Sequence, residues 1–109
     1  MTRAVFREWM LGLGRREAYG RMAHLLCELY VRLKAVGLAN GHGYEMPLTQ
    51  AELGDALGLS TVHVNRTLQD LRGDGLITLR NGSVTVLDWD RLREAGEFDP
   101  TYLHLREAA

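Results

Sequence analysis

The chain has 109 residues, 46% apolar and 25% charged, with a formal net charge of −1. That size suits one domain with one core. No apolar run approaches the roughly 20 residues of a membrane-spanning helix, and Arg3, Arg7 and Glu8 interrupt the apolar N-terminus, which does not read as a secretory signal. A soluble, cytoplasmic protein is expected. The single cysteine, Cys27, excludes an internal disulfide and an all-cysteine metal site within the chain; among apolar helix positions it reads as a buried, inert thiol. Charge is unevenly spread: residues 1–40 hold seven basic and three acidic groups, residues 41–109 six and eleven. An anionic partner would therefore have to be met by a local basic face, not by bulk charge.

In chain order, Val5, Phe6, Trp9, Met10 and Leu13 recur at helical steps and form one apolar stripe. So strong a stripe on so short a helix calls for a packing partner, with a second copy of itself as the candidate. Gly12 and Gly14 break the pattern. A helix from about Arg15 to Val36 follows, with Ala18, Met22, Leu25, Leu26, Leu29, Leu33 and Val36 along one face and Gly37 as its stop. Residues 39–43 read as a glycine-rich loop, and 44–47 as a short extended segment ending at Pro47.

Thr49 and Glu52 have the spacing of a capping box. The helix they open should turn Leu53, Ala56 and Leu57 inward and stop at Gly58. Ser60 is a strong N-cap for a second helix with Val64, Leu68 and Leu71 inward and Thr61, Val62, Asn65, Arg66 and Gln69 outward. Gly73 and Gly75 bracket its end. The period then changes: 77–80 and 83–86 alternate apolar and polar around Asn81-Gly82, a strong hairpin signal. Asp88 caps a last helix of about Trp89 to Ala95, and 97–109 reads as a loosely held acidic tail.

Two helices joined by a tight turn and followed by a hairpin give the order of a winged helix-turn-helix, mainly α with a small antiparallel hairpin. In that arrangement the second helix enters a DNA major groove. Asn65 and Arg66 are shaped for bidentate contacts to adenine and guanine edges. The free amides at the Ser60 helix start suit a phosphate. The domains divide as 1–14, the apolar stripe; 15–96, the winged helix-turn-helix; and 97–109, the acidic tail.

The run Leu48 to Leu68, LTQAELGDALGLSTVHVNRTL, resembles the helix-turn-helix of the Crp/Fnr family of bacterial transcription regulators. Gly75-Leu76-Ile77, the hairpin and the helix beginning Arg15-Arg16-Glu17-Ala18 are similar to that family as well, and the apolar stripe before it resembles the end of the family's long dimerisation helix, which makes 1–14 the end of a dimerisation helix. The resemblance implies sequence-specific binding of double-stranded DNA at an inverted repeat by a homodimer, with RNA polymerase as a further candidate partner. It implies base reading by Thr61, Val62, Asn65 and Arg66, phosphate contacts from Thr49, Gln50, Ser60, His63, Arg80, Asn81 and Ser83, and dimerisation through Val5, Phe6, Trp9, Met10 and Leu13. Members that read the best-known family operator carry Arg and Glu directly after the serine and Arg four positions beyond that Glu. Here the places hold Thr61, Val62 and Arg66, so the guanine reader is kept and the cytosine reader is lost. A contact from Val62 or Thr61 to a thymine methyl is expected in its place. The family's sensor barrel does not fit in this length, so the chain reads either as an excised piece, which a start partway along a dimerisation helix favours, or as a natural short protein, and no effector can be inferred.

Plainer readings stand beside these. Arg66 suits a surface pair with Asp70 at i+4, and His63 suits a simple exposed histidine. Arg80, Asn81 and Ser83 also suit a solvated turn, and Arg15 and Arg16 either phosphate contacts or a solvated helix start. His24, His42 and His104 share no ligand spacing, Asp88 and Asp90 suit helix capping, and no nucleophile–base pair is present, so neither a metal, a cofactor nor an enzyme is expected. The rival function is a winged-helix platform for protein interaction or dimerisation that does not read DNA.

Overall fold

The computed structural model describes residues 14–99 and Thr101. The stripe Val5, Phe6, Trp9, Met10 and Leu13 lies outside the described residues, as does most of the segment read as a tail. Among the described residues, four helices, α1 (Arg15–Ala35), α2 (Gln50–Leu57), α3 (Thr61–Gly73) and α4 (Trp89–Gly96), accompany a sheet of β1 (Ala39–Asn40), β2 (Gly43–Glu45), β3 (Ile77–Arg80) and β4 (Ser83–Val86). No helix among the described residues is long and apolar enough to cross a membrane.

The sheet is antiparallel in the order β1-β2-β4-β3. The expected hairpin is β3–β4, with Leu79 opposite Val84 and Arg80 opposite Ser83. Its turn has positive φ at both Asn81 (50°) and Gly82 (79°), as a two-residue hairpin turn with the right twist requires. The structure enlarges this hairpin. Residues 39–43, expected as a loop, join the start of the expected extended segment in a second hairpin, whose inner strand β2 pairs with β4, Tyr44 opposite Val84. Tyr44 anchors it from below by donating its hydroxyl to the Leu26 carbonyl of α1 at 2.9 Å.

The core is drawn from every helix and from the inner face of the sheet: Met22, Leu26, Leu53, Val64, Leu71, Ile77, Val84 and Leu92 are all sealed. On α1 the buried face runs through Ala18, Met22, Ala23, Leu26, Cys27 and Tyr30. It is rotated from the expected stripe, so Leu25, Leu29 and Leu33 are only partly buried, and Val36 lies beyond the helix, 68% exposed. Ala56, expected inward, is exposed. Cys27 is buried, and burial pushes its thiol up to about 12, so it stays protonated and unreactive near neutrality.

Each helix ends in a left-handed residue followed by an apolar one that turns back to the last helical turn. Leu38, Leu59, Leu76 and Phe98 donate their amides to the carbonyls of Leu33, Gly54, Leu71 and Arg93 at 2.8 to 3.1 Å. The last of these matters for the boundary. Phe98 is 3% exposed and stacks edge-on against His24 and Trp89. The packed domain therefore continues past Gly96 into the segment read as a loose tail.

Candidate nucleic-acid interface

The site is built around the α2–turn–α3 unit. Thr49 and Glu52 close the expected capping box: the Thr49 hydroxyl accepts from the Glu52 amide at 3.0 Å, and the Glu52 carboxylate accepts from the Thr49 amide at 2.9 Å. At the other end of α2, Gly58 takes φ 72°, and the chain folds back so tightly that a Cβ on Gly54 would lie 2.4 Å from the Leu59 carbonyl oxygen. Glycine is thus required at Gly54 for the turn to close. Arg21 of α1 donates to the Leu57 carbonyl at 3.3 Å, satisfying one of the groups that the end of α2 leaves unpaired.

Ser60 then caps α3, its hydroxyl oxygen accepting from the His63 amide at 3.2 Å. The inward face of α3 holds Val64, Leu68 and Leu71, as expected, and also His63 and Thr67, with Thr67 donating its hydroxyl to the His63 carbonyl at 2.8 Å. His63, expected to reach a phosphate, is corrected by this: it is 3% exposed. His63, Thr67 and Leu71 form one i, i+4 row, and that row faces the core. The outward face is open: Thr61, Val62, Asn65, Arg66 and Gln69 are all exposed, Val62 to 68%.

The far end of α3 is tied down by charge. Asp70, a possible partner of Arg66 by spacing, is taken by Arg15 from the first turn of α1, Nε to Oδ2 at 2.9 Å and Nη2 to Oδ1 at 2.6 Å. That fork holds the Asp70 carboxyl below its ordinary range. It also takes Arg15 away from the role of a ready phosphate contact. Four residues on, Tyr19 donates to Asp74 at 2.8 Å; burial first, and then the carboxylate, push its hydroxyl up to about 12. Arg91 of α4 donates to the Asp74 carbonyl at 3.3 Å. The helix that presents the open face is thus clamped to both α1 and α4.

Of the other expected contacts, Thr49, Gln50, Ser60, Arg80 and Asn81 are exposed and Ser83 is half-buried in the central strand β4. Arg80 and Gln69 line one open groove between the hairpin and the end of α3, together with Arg72. Sequence reasoning missed Arg72. Its position, three residues beyond Gln69 on the same helical stripe, was the signal available.

A family model described as a Crp-like helix-turn-helix domain matches residues 20–95. The chain belongs to that family. Among curated Crp-like relatives, the transcriptional activator protein FnrL of Cereibacter sphaeroides is 41% identical over 96 residues, covering 84% of this chain and 39% of its own length. A probable transcriptional activator of Rhizobium leguminosarum is 39% identical over 87 residues, covering 79% and 36%. Among solved structures, the catabolite activator protein of Thermus thermophilus superposes with a TM-score of 0.60 at 28% identity, covering 85% of this chain and 41% of that one. The chain therefore spans about two fifths of the length of these Crp-like relatives.

Proposed function

We propose that the chain is the DNA-reading unit of a transcription regulator and acts by binding rather than by catalysis. In this reading α3 lies in the major groove, and Thr61, Val62, Asn65 and Arg66 face the base edges. Thr49, Gln50, Ser60, Arg80, Asn81 and Ser83 meet the sugar-phosphate backbone, joined by Arg72. A symmetric pair of chains sets two α3 helices about one helical turn apart on an inverted repeat. The segment bearing Val5, Phe6, Trp9, Met10 and Leu13 supplies the contact between the two. RNA polymerase is the partner a bound activator would engage.

The observation that carries this reading is the division of α3. Its inner side is sealed in the core, while Thr61, Val62, Asn65, Arg66 and Gln69 stand open together. A helix held so firmly from behind, with an open face of hydrogen-bonding side chains, suits insertion into a groove. Affinity would come largely from phosphate contacts, which explains how a chain of net charge −1 can bind DNA through a local surface.

The test is selection of bound duplexes from a random pool, followed by a salt titration on the winner. An inverted repeat whose binding weakens steeply with salt is the expected result. A chain that selects no sequence and shows no salt-dependent binding to any duplex is a protein-interaction platform instead.

A further inference from the structure

Resting on the reading of α3 as the base-facing helix, we infer that Val62 reads the 5-methyl group of a thymine beside the guanine met by Arg66. Val62 lies in the first turn of α3 and is 68% exposed, one of four large apolar side chains so exposed among the described residues. The other three, Val36, Leu38 and Leu87, lie outside the helices. Val62 alone lies among groups suited to base edges: Asn65 and Arg66 follow it at i+3 and i+4, on the same side of the helix.

A β-branched side chain in a helix is held close to one rotamer, so Val62 offers a rigid apolar knob at a fixed place. In the major groove every base edge presents donors and acceptors, and the one apolar group is the thymine methyl. Against a cytosine at the same place, the exocyclic amine would lose its water and find no acceptor on Val62, an unfavourable exchange. Valine therefore selects thymine over cytosine by contact on one side and by an unmet donor on the other. One helical turn advances about 5.4 Å, and successive bases on a strand are about 3.4 Å apart. The thymine thus falls one or two steps from the guanine of Arg66.

The experiment uses the whole chain and the best duplex from the selection, with each thymine replaced in turn by uracil, which removes the methyl group alone. One thymine per half-site, within two steps of the Arg66-dependent guanine, is expected to respond, with binding weakened about fourfold, as for one buried methyl. Val62→Ala should bind the thymine and uracil duplexes equally. Val62→Glu should change the preferred base at that position to cytosine, whose amine a carboxylate accepts. Uracil tolerated everywhere, or a uracil penalty that persists in Val62→Ala, overturns the inference. So does a Val62→Glu chain that folds normally and still prefers thymine. If Arg66→Ala relaxes one guanine while uracil is neutral, only the methyl reading fails; if no sequence is selected at all, the parent reading fails with it.

Discussion

Helix α3 carries two valines, two positions apart, with opposite fates. Val64 is sealed in the core, and Val62 is 68% exposed. The same side chain is packed into the core at one site and stands in solvent at the other, so residue type does not decide its place here; the helical face does. The inner face, from His63 to Leu71, is packed in the core, and the outer face, from Thr61 to Gln69, is exposed, so substitutions there are expected to spare the fold.

The sharpest way to break this comparison is to cut into the inner face. Leu71→Ala should lower unfolding free energy by about 2–5 kcal/mol, read by chemical denaturation, while the molecules still folded keep their base preference. Next in size, Arg66→Ala should leave stability within about 0.5 kcal/mol. It should cost about 1–3 kcal/mol in binding and relax preference at one guanine per half-site. If Arg66→Ala unfolds the chain, or Leu71→Ala leaves it as stable as before, the two faces are not separate. Ser60 lies where the faces meet, since its oxygen caps the helix. Ser60→Ala should therefore lower stability by about 1 kcal/mol and weaken duplex binding as well, measured by thermal melting and by titration.

The smallest effect concerns the clamp. The Arg15 fork lowers the Asp70 pKa in the folded chain, so the folded state binds that proton less readily than the unfolded state. Its contribution is present above the ordinary carboxylate range, near pH 4, and is lost as pH falls through the depressed value. Arg15 is largely exposed, so solvent and salt screen the pair. Asp70→Asn should melt slightly lower than the parent at pH 6, and the difference should shrink as pH falls below the ordinary carboxylate range. A constant difference across that range would show that Asp70 acts by packing and not by charge.

Much of this was legible in the sequence because it is written locally. The capping box at Thr49 and Glu52, the Ser60 cap and the Asn81-Gly82 turn each depend on residues within a few positions of one another, and all are present. Strand β1 was harder to read, and β2 was legible only as an extended segment with no partner assigned. Ala39-Asn40 has no alternation to read, and its hairpin exists because Tyr44 has β4 to pair with and α1 to anchor on. His63 was misplaced for a related reason: an apolar stripe marks only the centre of a buried face, and polar side chains at its edge, His63 and Thr67 here, are buried with it, Thr67 meeting the His63 carbonyl. The Arg15–Asp70 and Tyr19–Asp74 bonds join residues 55 apart, and no periodicity encodes such a meeting. That Thr61, Val62, Asn65, Arg66 and Gln69 face outward was legible because they share one short helix with an apolar run that must face the other way.

If the chain acts on DNA as the symmetric pair proposed above, the bonds at Asp70 and Asp74 also constrain the fit. With its last turn fastened to α1 and to α4, α3 cannot pivot alone; tilting it carries the whole packed body along. An operator with one base pair too many or too few between its halves would have to be matched by swinging each body as a unit, so tolerance for spacing would be set by whatever joins the two bodies and not by the helix in the groove.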